Sequence, residues 1–563
     1  MSYIPYQAPL DDMRFVLHQV LGLEAHLDSS VPVDLVDAIL EEAGKFAGSV
    51  LSPINVNGDR EGVKWKEGHV TTASGFKEAY RLFVENGWNA VPFPTEFGGQ
   101  GLPWMVSTAI SELWSGANMA FGLCSLLTQG SIELLLAHGT DAQKAIYLAK
   151  LISGEWTGTM CLTEPHAGSD VGVLTTRAVP EGDYYRISGT KIFITYGEHD
   201  MAENIIHMVL ARLPDAPEGT KGISLFIVPK ILEDGTRNDV QCVSLEHKLG
   251  IHGSPTAVLS FGDKGGAIGY LIGEKHKGMR AMFTMMNNAR LAVGIEGVAI
   301  GENSLQQATA YANERVQGKV TIIHHPDVKR MLLSIRAETE AMRVLTLYLG
   351  KQLDHVHRGD NESAQALQLL NLLIPVCKSH ATDKGFWAAS EALQVFGGMG
   401  FIEETGIAQN LRDSRIAMIY EGTNGIQAQD LVMRKLNAEE GALYRTFEAE
   451  LDRIDQTMQK AGIERGMVQA LAEARKALTQ ATVFMQGEVQ KNSDAAAFIA
   501  TPYLELFGIV TGGYMLGWSL AALARNSSLS AEFVRQKQET VRFYIQYILS
   551  KSGGFSKIFE SSF

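Results

Sequence analysis

Cysteine is scarce. The 563-residue chain has four, Cys124, Cys161, Cys242 and Cys377, far apart and without a CxxC pair. A zinc knuckle or dense disulfide framework is therefore not expected, and a reducing, cytoplasmic setting is. Basic charge is also short: 49 Lys and Arg against 63 Asp and Glu leave a formal net charge of −14. Such a surface repels nucleic acid and anionic lipid as a whole. No complete GxGxxG follows a strand-like run, and GxxxxGK[ST], GxSxG and HExxH are all missing. Those absences remove support for a Rossmann nicotinamide site, a P-loop, a hydrolase nucleophile elbow and a zincin helix. His324-His325 has too few companions for a metal site, so none is expected. The opening Met-Ser-Tyr-Ile-Pro-Tyr has no basic stretch followed by an apolar one, and a secretory signal is not expected. Long uncharged runs are few. The one over 506–523 approaches membrane-spanning length, but it contains Gly508, Gly512, Gly513 and Gly517 between Glu505 and Arg525. Small residues four apart let helices pack closely, so a buried bundle helix is expected, and membrane contact is not.

Apolar residues make up 45% and charged residues 20%, which fits a globular chain, and its length requires several domains. Apolar spacing of three and four predicts helices at 13–23, 33–46, 76–86 and 132–152. Beyond Gly154 the pattern changes to short β-branched and aromatic runs at 184–187, 191–196, 204–211, 222–228, 240–246 and 256–261. Their spacing suits an antiparallel barrel or sandwich, with Ser188-Gly189-Thr190 as a hairpin turn. Helical spacing returns at 277–317, 326–358, 363–396 and 424–437, and continues through 438–563. The fold class is mainly α with a central β domain.

Five segments carry candidate chemistry. MCLTEPHAGSD (160–170) lies where the helical part gives way to the β part, and Thr163, Ser169 and free amides there could grip a polar ring edge and a phosphate. KIFITY (191–196) reads as an alternating strand, with Phe193 able to lie on a planar cofactor and Thr195 to bond its edge. YANERVQG (311–318) closes a long helix, where Arg315 also suits the dipole. QVFGGMG (394–400) is a helix end breaking into glycines; it could expose amides to a pyrophosphate or simply cap the helix. In RDSRIAMIYEGTNGIQ (412–427) the lone carboxylate Glu421 follows an apolar run and precedes Gly422. That setting should raise its pKa, as a general base near neutrality needs. A helix-capping role ahead of Asn424 explains it equally well at this point.

In this order and spacing, the five segments resemble the acyl-CoA dehydrogenase family from about residue 40 to 437. KLGIHGSPTAVLSFG followed by MFTMMNNARLAVGIEG looks closest to a larger bacterial branch with a C-terminal helical extension, the branch that includes 3-methylmercaptopropionyl-CoA dehydrogenase. The resemblance implies an N-terminal helical domain (1–157), a β-barrel or sandwich (158–273), a four-helix bundle (274–437) and an added helical domain (438–563). It implies FAD, an acyl-CoA substrate, a homodimer or homotetramer, and electron-transfer flavoprotein as acceptor. Met160, Leu162, Thr163 and Ser169 would line the flavin and diphosphate, with Phe193 and Thr195 covering the ring. Phe193 stands where many members have Trp. Arg315, Gln317, Gln394, Gly397 and Gly398 would meet the adenosine diphosphate part of FAD held mainly by a neighbouring subunit, and Thr423 would touch FAD beside the base.

Glu421 matches the usual base. Some members place the base just before the arginine that Arg290 matches, but Ala289 stands there. Ser169, Arg290, Tyr420 and Gly422 would meet the acyl-CoA. The implied reaction is α,β-dehydrogenation to the trans-2-enoyl-CoA, with an oxygen-using oxidase or a non-catalytic flavoprotein as alternatives. Met279, Met282, Phe283, Met285 and Met286 suit either core packing or an adaptable acyl pocket, with a lean toward short-to-medium chains.

Overall fold

The computed structural model describes residues 4–28, 31–525 and 529–559. It is mainly helical, with a β domain in the middle of the chain. The chain forms two compact units: Gly48–Leu102 with Ala117–Ala289, and Met1–Ala47 with Pro103–Gly116 and Arg290–Phe563.

The sheet of the first unit contains the strands Trp156–Cys161, Arg177–Glu181, Tyr184–Thr195, Asn204–Arg212, Ile223–Pro229, Val240–Leu245, Thr256–Phe261 and Ala267–Ile272. Trp156–Cys161 runs parallel to Asn204–Arg212, whereas most other neighbours are antiparallel. Ala267–Ile272 pairs with both Ile223–Pro229 and Tyr184–Thr195. This closes five strands into a ring, while Val240–Leu245 and Trp156–Cys161 stay at edges outside it. Ile187, Val209, Phe226, Leu259 and Phe261 fill its core.

Tyr184–Thr195 corrects two expectations. Ser188-Gly189-Thr190 is not a hairpin turn, because one 12-residue strand runs through it. Up to Ser188 the strand pairs with Arg177–Glu181 and Ala267–Ile272; from Gly189 it pairs with Thr256–Phe261. At the changeover a Cβ on Gly189 would lie 2.5 Å from the Thr176 hydroxyl oxygen, so the glycine serves a close backbone approach. Nor does 191–196 alternate simply, since the register shifts between Lys191 and Ile194. Met160 and Cys161 belong to the strand Trp156–Cys161, and the loop begins only after them.

The 132–152 stretch is two helices. Trp104–His138 stops before Gly139, and Asp141–Ser153 starts from a capping box. The Thr140 hydroxyl accepts from the Gln143 amide (3.2 Å) and the Gln143 side chain accepts from the Thr140 amide (3.0 Å). Apolar spacing continues across the break and hides it from a periodicity argument.

In the helical unit, Pro326–Arg358 and Ser363–Phe396 have the expected bounds. Pro326 starts the first in the position proline prefers, and Gly359 (φ +59°) ends it. Ala500–Leu523 packs against both, and against Ala442–Lys460 and Arg465–Lys491. Its most apolar 18-residue window is 100% buried, and that of Trp104–His138 is 78% buried; both helices have the length and composition to cross a membrane. A Cβ on Gly508 would lie 2.3 Å from the His380 ring, and one on Gly512 would lie 2.3 Å from the Tyr544 hydroxyl oxygen. The glycines of this helix therefore mark close approaches within a protein core.

A buried charge network ties the helical unit together. Arg343, 1% exposed, pairs with Asp12 (2.8 Å), Glu112 (2.6 Å) and Glu302 (2.7 Å). Lys537, also buried, reaches Glu340 (2.6 Å) and the second oxygen of Asp12. The guanidinium fork can serve several carboxylates at once, which a buried positive charge needs.

Candidate functional site

The candidate residues fall into two groups, one in each unit. In the β unit, the segment after Cys161 folds back through a bridge between Glu164 and Ala167. Lys191, fully buried, donates to the Leu162 carbonyl (2.9 Å) and to Glu164 (2.9 Å). Glu164 also accepts from the amides of Thr175 (2.7 Å) and Thr176 (3.0 Å) and from their hydroxyls (2.9 and 2.6 Å). Burial pushes its carboxyl up, but Lys191 and these donors outweigh it and hold it down to about 2. The Thr163 carbonyl accepts from the Ile192 amide (2.9 Å). Leu162, Thr163 and Glu164 are thus pinned beside the bulged strand.

On that strand Phe193 adopts φ +61° and is 58% exposed. A bulky residue in the left-handed region is strained, and an exposed apolar ring gains nothing from burial to offset it. The half-buried Thr163 and Thr195 hydroxyls have no hydrogen-bond partner among the described residues. Ser169 is exposed, next to Asp170, whose carboxylate accepts from the Gly172 amide (2.8 Å).

In the helical unit the segment around Glu421 is held by its backbone. Glu421 (φ +57°) and Gly422 (φ +79°) are consecutive left-handed residues. Gln427 donates to the carbonyls of Glu421 (3.0 Å) and Gly422 (3.3 Å). Buried Lys378 donates to the Gly422 carbonyl (2.9 Å) and to Asn424 (2.9 Å). Asn424 in turn donates to Asp383 (2.8 Å). The helix Asn424–Gln429 is capped by the Thr423 hydroxyl, which accepts from the Ile426 amide (3.2 Å). Capping is therefore the work of Thr423, and the capping alternative for Glu421 falls. Among the described residues the Glu421 carboxylate accepts no hydrogen bond and its amide donates none.

Burial pushes Glu421 up to about 7, against the pull of Arg290 and Lys378. Arg290, 5% exposed, donates to Asp430 (3.3 Å). Tyr420 donates to Glu296, which is 1% exposed and pushed up to about 8 by burial, against Tyr420 and Lys378. Burial pushes Lys378 down to about 8, against the opposing charge of Glu421. Three ionisable groups of this one region therefore titrate close to neutrality.

Arg315, Gln317, Gln394, Gly397 and Gly398 are all exposed. They cluster because the Tyr311 ring stacks on Phe396 at 4.2 Å and 11°. This joins the end of Gly278–Glu314 to the end of Ser363–Phe396, where Gly397 (φ +60°) breaks the helix.

Four family models match this chain. Acyl-CoA dehydrogenase N-terminal, middle and C-terminal domains match 37–155, 159–263 and 276–436, and an acetyl-CoA dehydrogenase C-terminal-like domain matches 451–562. The 3-methylmercaptopropionyl-CoA dehydrogenase of Ruegeria pomeroyi is 45% identical, covering 97% of this chain and 96% of that protein. The chain belongs to the acyl-CoA dehydrogenase family. It is an enzyme of that type, similar also to a butyryl-CoA dehydrogenase of Syntrophomonas wolfei, at 34% identity over 98% of this chain and 96% of that protein. A crystal structure of ACDH-11 from Caenorhabditis elegans in complex with C11-CoA shares the fold at a TM-score of 0.80. It has 22% identity and covers 97% of this chain and 92% of that one.

Four further residues of this acyl-CoA dehydrogenase hold the two groups in place. Glu164 and Gln427 lie within the segments 160–170 and 412–427, where spelling alone assigns them no role, and Lys378 and Glu296 lie outside all five segments. Lys378 and Glu296 did carry a signal: each is a lone charge within an apolar run, in LLIPVCKSHA and LAVGIEGVAIG. The same test picked out Glu421.

Proposed function

We propose that this enzyme oxidises an acyl-CoA thioester between carbons 2 and 3, giving the trans-2-enoyl-CoA, with FAD as cofactor and Glu421 as the general base. The observation that carries the reading is the state of Glu421: a half-buried carboxylate without hydrogen bonds, on strained backbone, with its pKa pushed up to about 7. A general base works best when its pKa lies near the working pH. The thioester α-proton is too weakly acidic for a carboxylate alone, so its carbonyl oxygen must be held by donors worth about 3 kcal/mol each. The unengaged Glu421 amide is suited to be one of them. Lys378 and Gln427, by gripping the Gly422 and Glu421 carbonyls, keep amide and carboxylate in fixed relation.

The residues present fit FAD. The unpartnered Thr163 and Thr195 hydroxyls offer hydrogen bonds to a polar ring edge, and the exposed Phe193 ring offers a flat apolar cover. Met160, Leu162 and Ser169 would complete the flavin and diphosphate contacts, and Thr423 would stand beside the base. Arg315, Gln317, Gln394, Gly397 and Gly398 would receive the adenosine diphosphate part of a neighbouring subunit's cofactor in a homodimer or homotetramer. Arg290, Tyr420, Gly422 and Ser169 would meet the acyl-CoA. FAD, when bound, supplies the acceptor at N5 for the hydride leaving carbon 3, and electron-transfer flavoprotein would then take the electrons. We place the enzyme in the cytoplasm.

A short acyl group is the best-supported substrate, the 3-methylthiopropionyl thioester among them. The relatives at 45% and 34% identity bear the names of methylmercaptopropionyl- and butyryl-CoA enzymes. Of the methionine run, Met282 and Met285 are core residues, 0% exposed. Met279, Phe283 and Met286 are half-buried, and Met279 and Met286 would be the ones to meet an acyl chain. The deciding experiment mixes the flavin-loaded enzyme anaerobically with C4 to C16 acyl-CoAs and 3-methylthiopropionyl-CoA while flavin absorbance is followed. Bleaching by short chains is expected, with little oxygen uptake during turnover in air. Preference for C14 or longer would refute the short pocket, and absence of bleaching by every thioester would refute the activity.

A further inference from the structure

The mechanism above gives no task to Glu296, a buried carboxyl beside the Glu421 loop. Glu296 lies on the helix Gly278–Glu314, six positions beyond Arg290 and 1% exposed. One of its oxygens accepts from the Tyr420 hydroxyl, and the other, Oε1, has no partner among the described residues. Tyr420 is the residue next to Glu421. A carboxyl inside an apolar helix normally has both oxygens satisfied, because a bare buried oxygen forfeits the hydration it had in water. We propose that Glu296 is a positioning residue for the base: through the Tyr420 hydroxyl it anchors the residue next to Glu421 and so sets the surroundings in which that carboxyl works. This rests on the reading of Glu421 as the base.

The charges around Glu296 and Glu421 come from three elements. Lys378 faces both from Ser363–Phe396, with Asp383 acting on Lys378 itself, and Arg290 faces Glu421 from the helix of Glu296. Arg290 is in turn held by Asp430, which also pairs with Arg434. Lys378 stabilises both carboxylates, Arg290 lowers Glu421, and ionised Glu421 raises Glu296. Glu421 therefore loses its proton first and Glu296 second. When the second charge forms, repulsion makes Glu421 a stronger base, because coupling between two sites is reciprocal. When the base takes up the substrate's proton, that repulsion is relieved and Glu296 becomes easier to ionise. The loop thus never holds two full negative charges below the upper ionisation.

Two variants test this, neither of which removes the base. The rate of flavin reduction by a short acyl-CoA is measured against pH in wild type, Glu296→Gln and Tyr420→Phe. The protonated-carboxyl stretching band is titrated in parallel by difference infrared spectroscopy. Lys378 and the remote Asp354 also titrate in this range, so each variant is read as a difference from wild type. E296Q should lose one carboxyl ionisation, the upper of those assigned to Glu421 and Glu296, while the others stay. Y420F should keep it, moved to higher pH by about one unit, since a donated hydrogen bond no longer favours the Glu296 carboxylate. An E296Q protein that loses no carboxyl ionisation, or an unmoved upper one in Y420F, would overturn the proposal, and either variant decides if the other fails to fold. A wild type that no thioester bleaches would count against Glu421 as base, while the infrared titration would still rule on Glu296.

Discussion

Replacing Lys191 by Met removes a positive charge and keeps nearly the same volume. The variant isolates the electrostatic brace behind the 160–170 segment. The Lys191 side chain is 0% exposed and that of Glu164 is 2% exposed, so solvent screens the pair little. Glu164 falls from an ordinary 4.5 to about 2, which corresponds to roughly 3 kcal/mol favouring the charged carboxylate in the folded state. Removing one member of a buried pair costs about 3–5 kcal/mol. The four bonds from Thr175 and Thr176 remain, so the lower end applies. That gives about 3 kcal/mol, or a fall in Tm of about 6–12 °C for a unit of this size.

The sign with pH is fixed as well. A depressed carboxyl pKa contributes stability that is fully present above the unfolded value, about 4.5, and lost as pH falls through about 2. Lys191→Met raises the folded-state pKa, so the acid limb of its stability curve should move to higher pH. Freeing the Leu162 carbonyl should also loosen the proposed flavin contacts and lower FAD content. Thermal unfolding at several pH values, with absorbance for flavin, reads all three effects. Adding Glu164→Gln should recover part of the loss, because no uncompensated charge then stays buried. A K191M protein within about 2 °C of wild type, with an unmoved acid limb, would refute the reasoning.

Glu421→Gln should retain fold and FAD while slowing flavin reduction by about 10²–10⁴-fold or more, and near-full activity in rapid mixing would overturn the base assignment. In wild type that rate should rise with pH through about 7, as Glu421 loses its proton; a pH-independent rate across that range would contradict the picture. Phe193→Gly should relieve left-handed strain of about 1 kcal/mol and weaken FAD retention on dialysis, whereas unchanged retention would exclude a ring contact. Gly508→Ala puts a methyl 2.3 Å from the His380 ring and should cost about 1–3 kcal/mol in denaturant unfolding. Arg315→Ala should lose FAD and thermal stability together, and a stable monomer with full FAD would sink the shared-cofactor reading.

Much of the helical layout was legible because proline and glycine punctuate it. Pro326, Gly359 and Gly397 mark ends of Pro326–Arg358 and Ser363–Phe396, and the expected bounds coincide with those observed. Where punctuation carried another meaning, the reading failed. Gly139 and Thr140 end one helix and start the next inside unbroken apolar spacing. Gly189 looked like a turn but permits close contact with Thr176 in a continuous strand. At the candidate site, the segments spelling local chemistry were legible, and Glu421 stood out as a lone carboxylate. Glu296 and Lys378 act on that segment from more than forty residues away in sequence. No short motif can state such a relation, since only packing brings these side chains together.

The network around Arg343 has a consequence for how the protein is made. Lys537 meets Asp12 across a separation of 525 residues. At about 5–20 residues per second, a ribosome supplies that lysine roughly half a minute to two minutes after the aspartate. Until then Asp12 and Glu340 await their common cation, and the helical unit, assembled from three separate stretches, cannot close. The β unit draws on residues no later than Ala289 and is free to fold while the remainder is still being translated. Chaperone dependence during synthesis should therefore fall on the helical unit, and ribosome-bound chains halted between the two points should show a protease-resistant β unit beside a sensitive remainder.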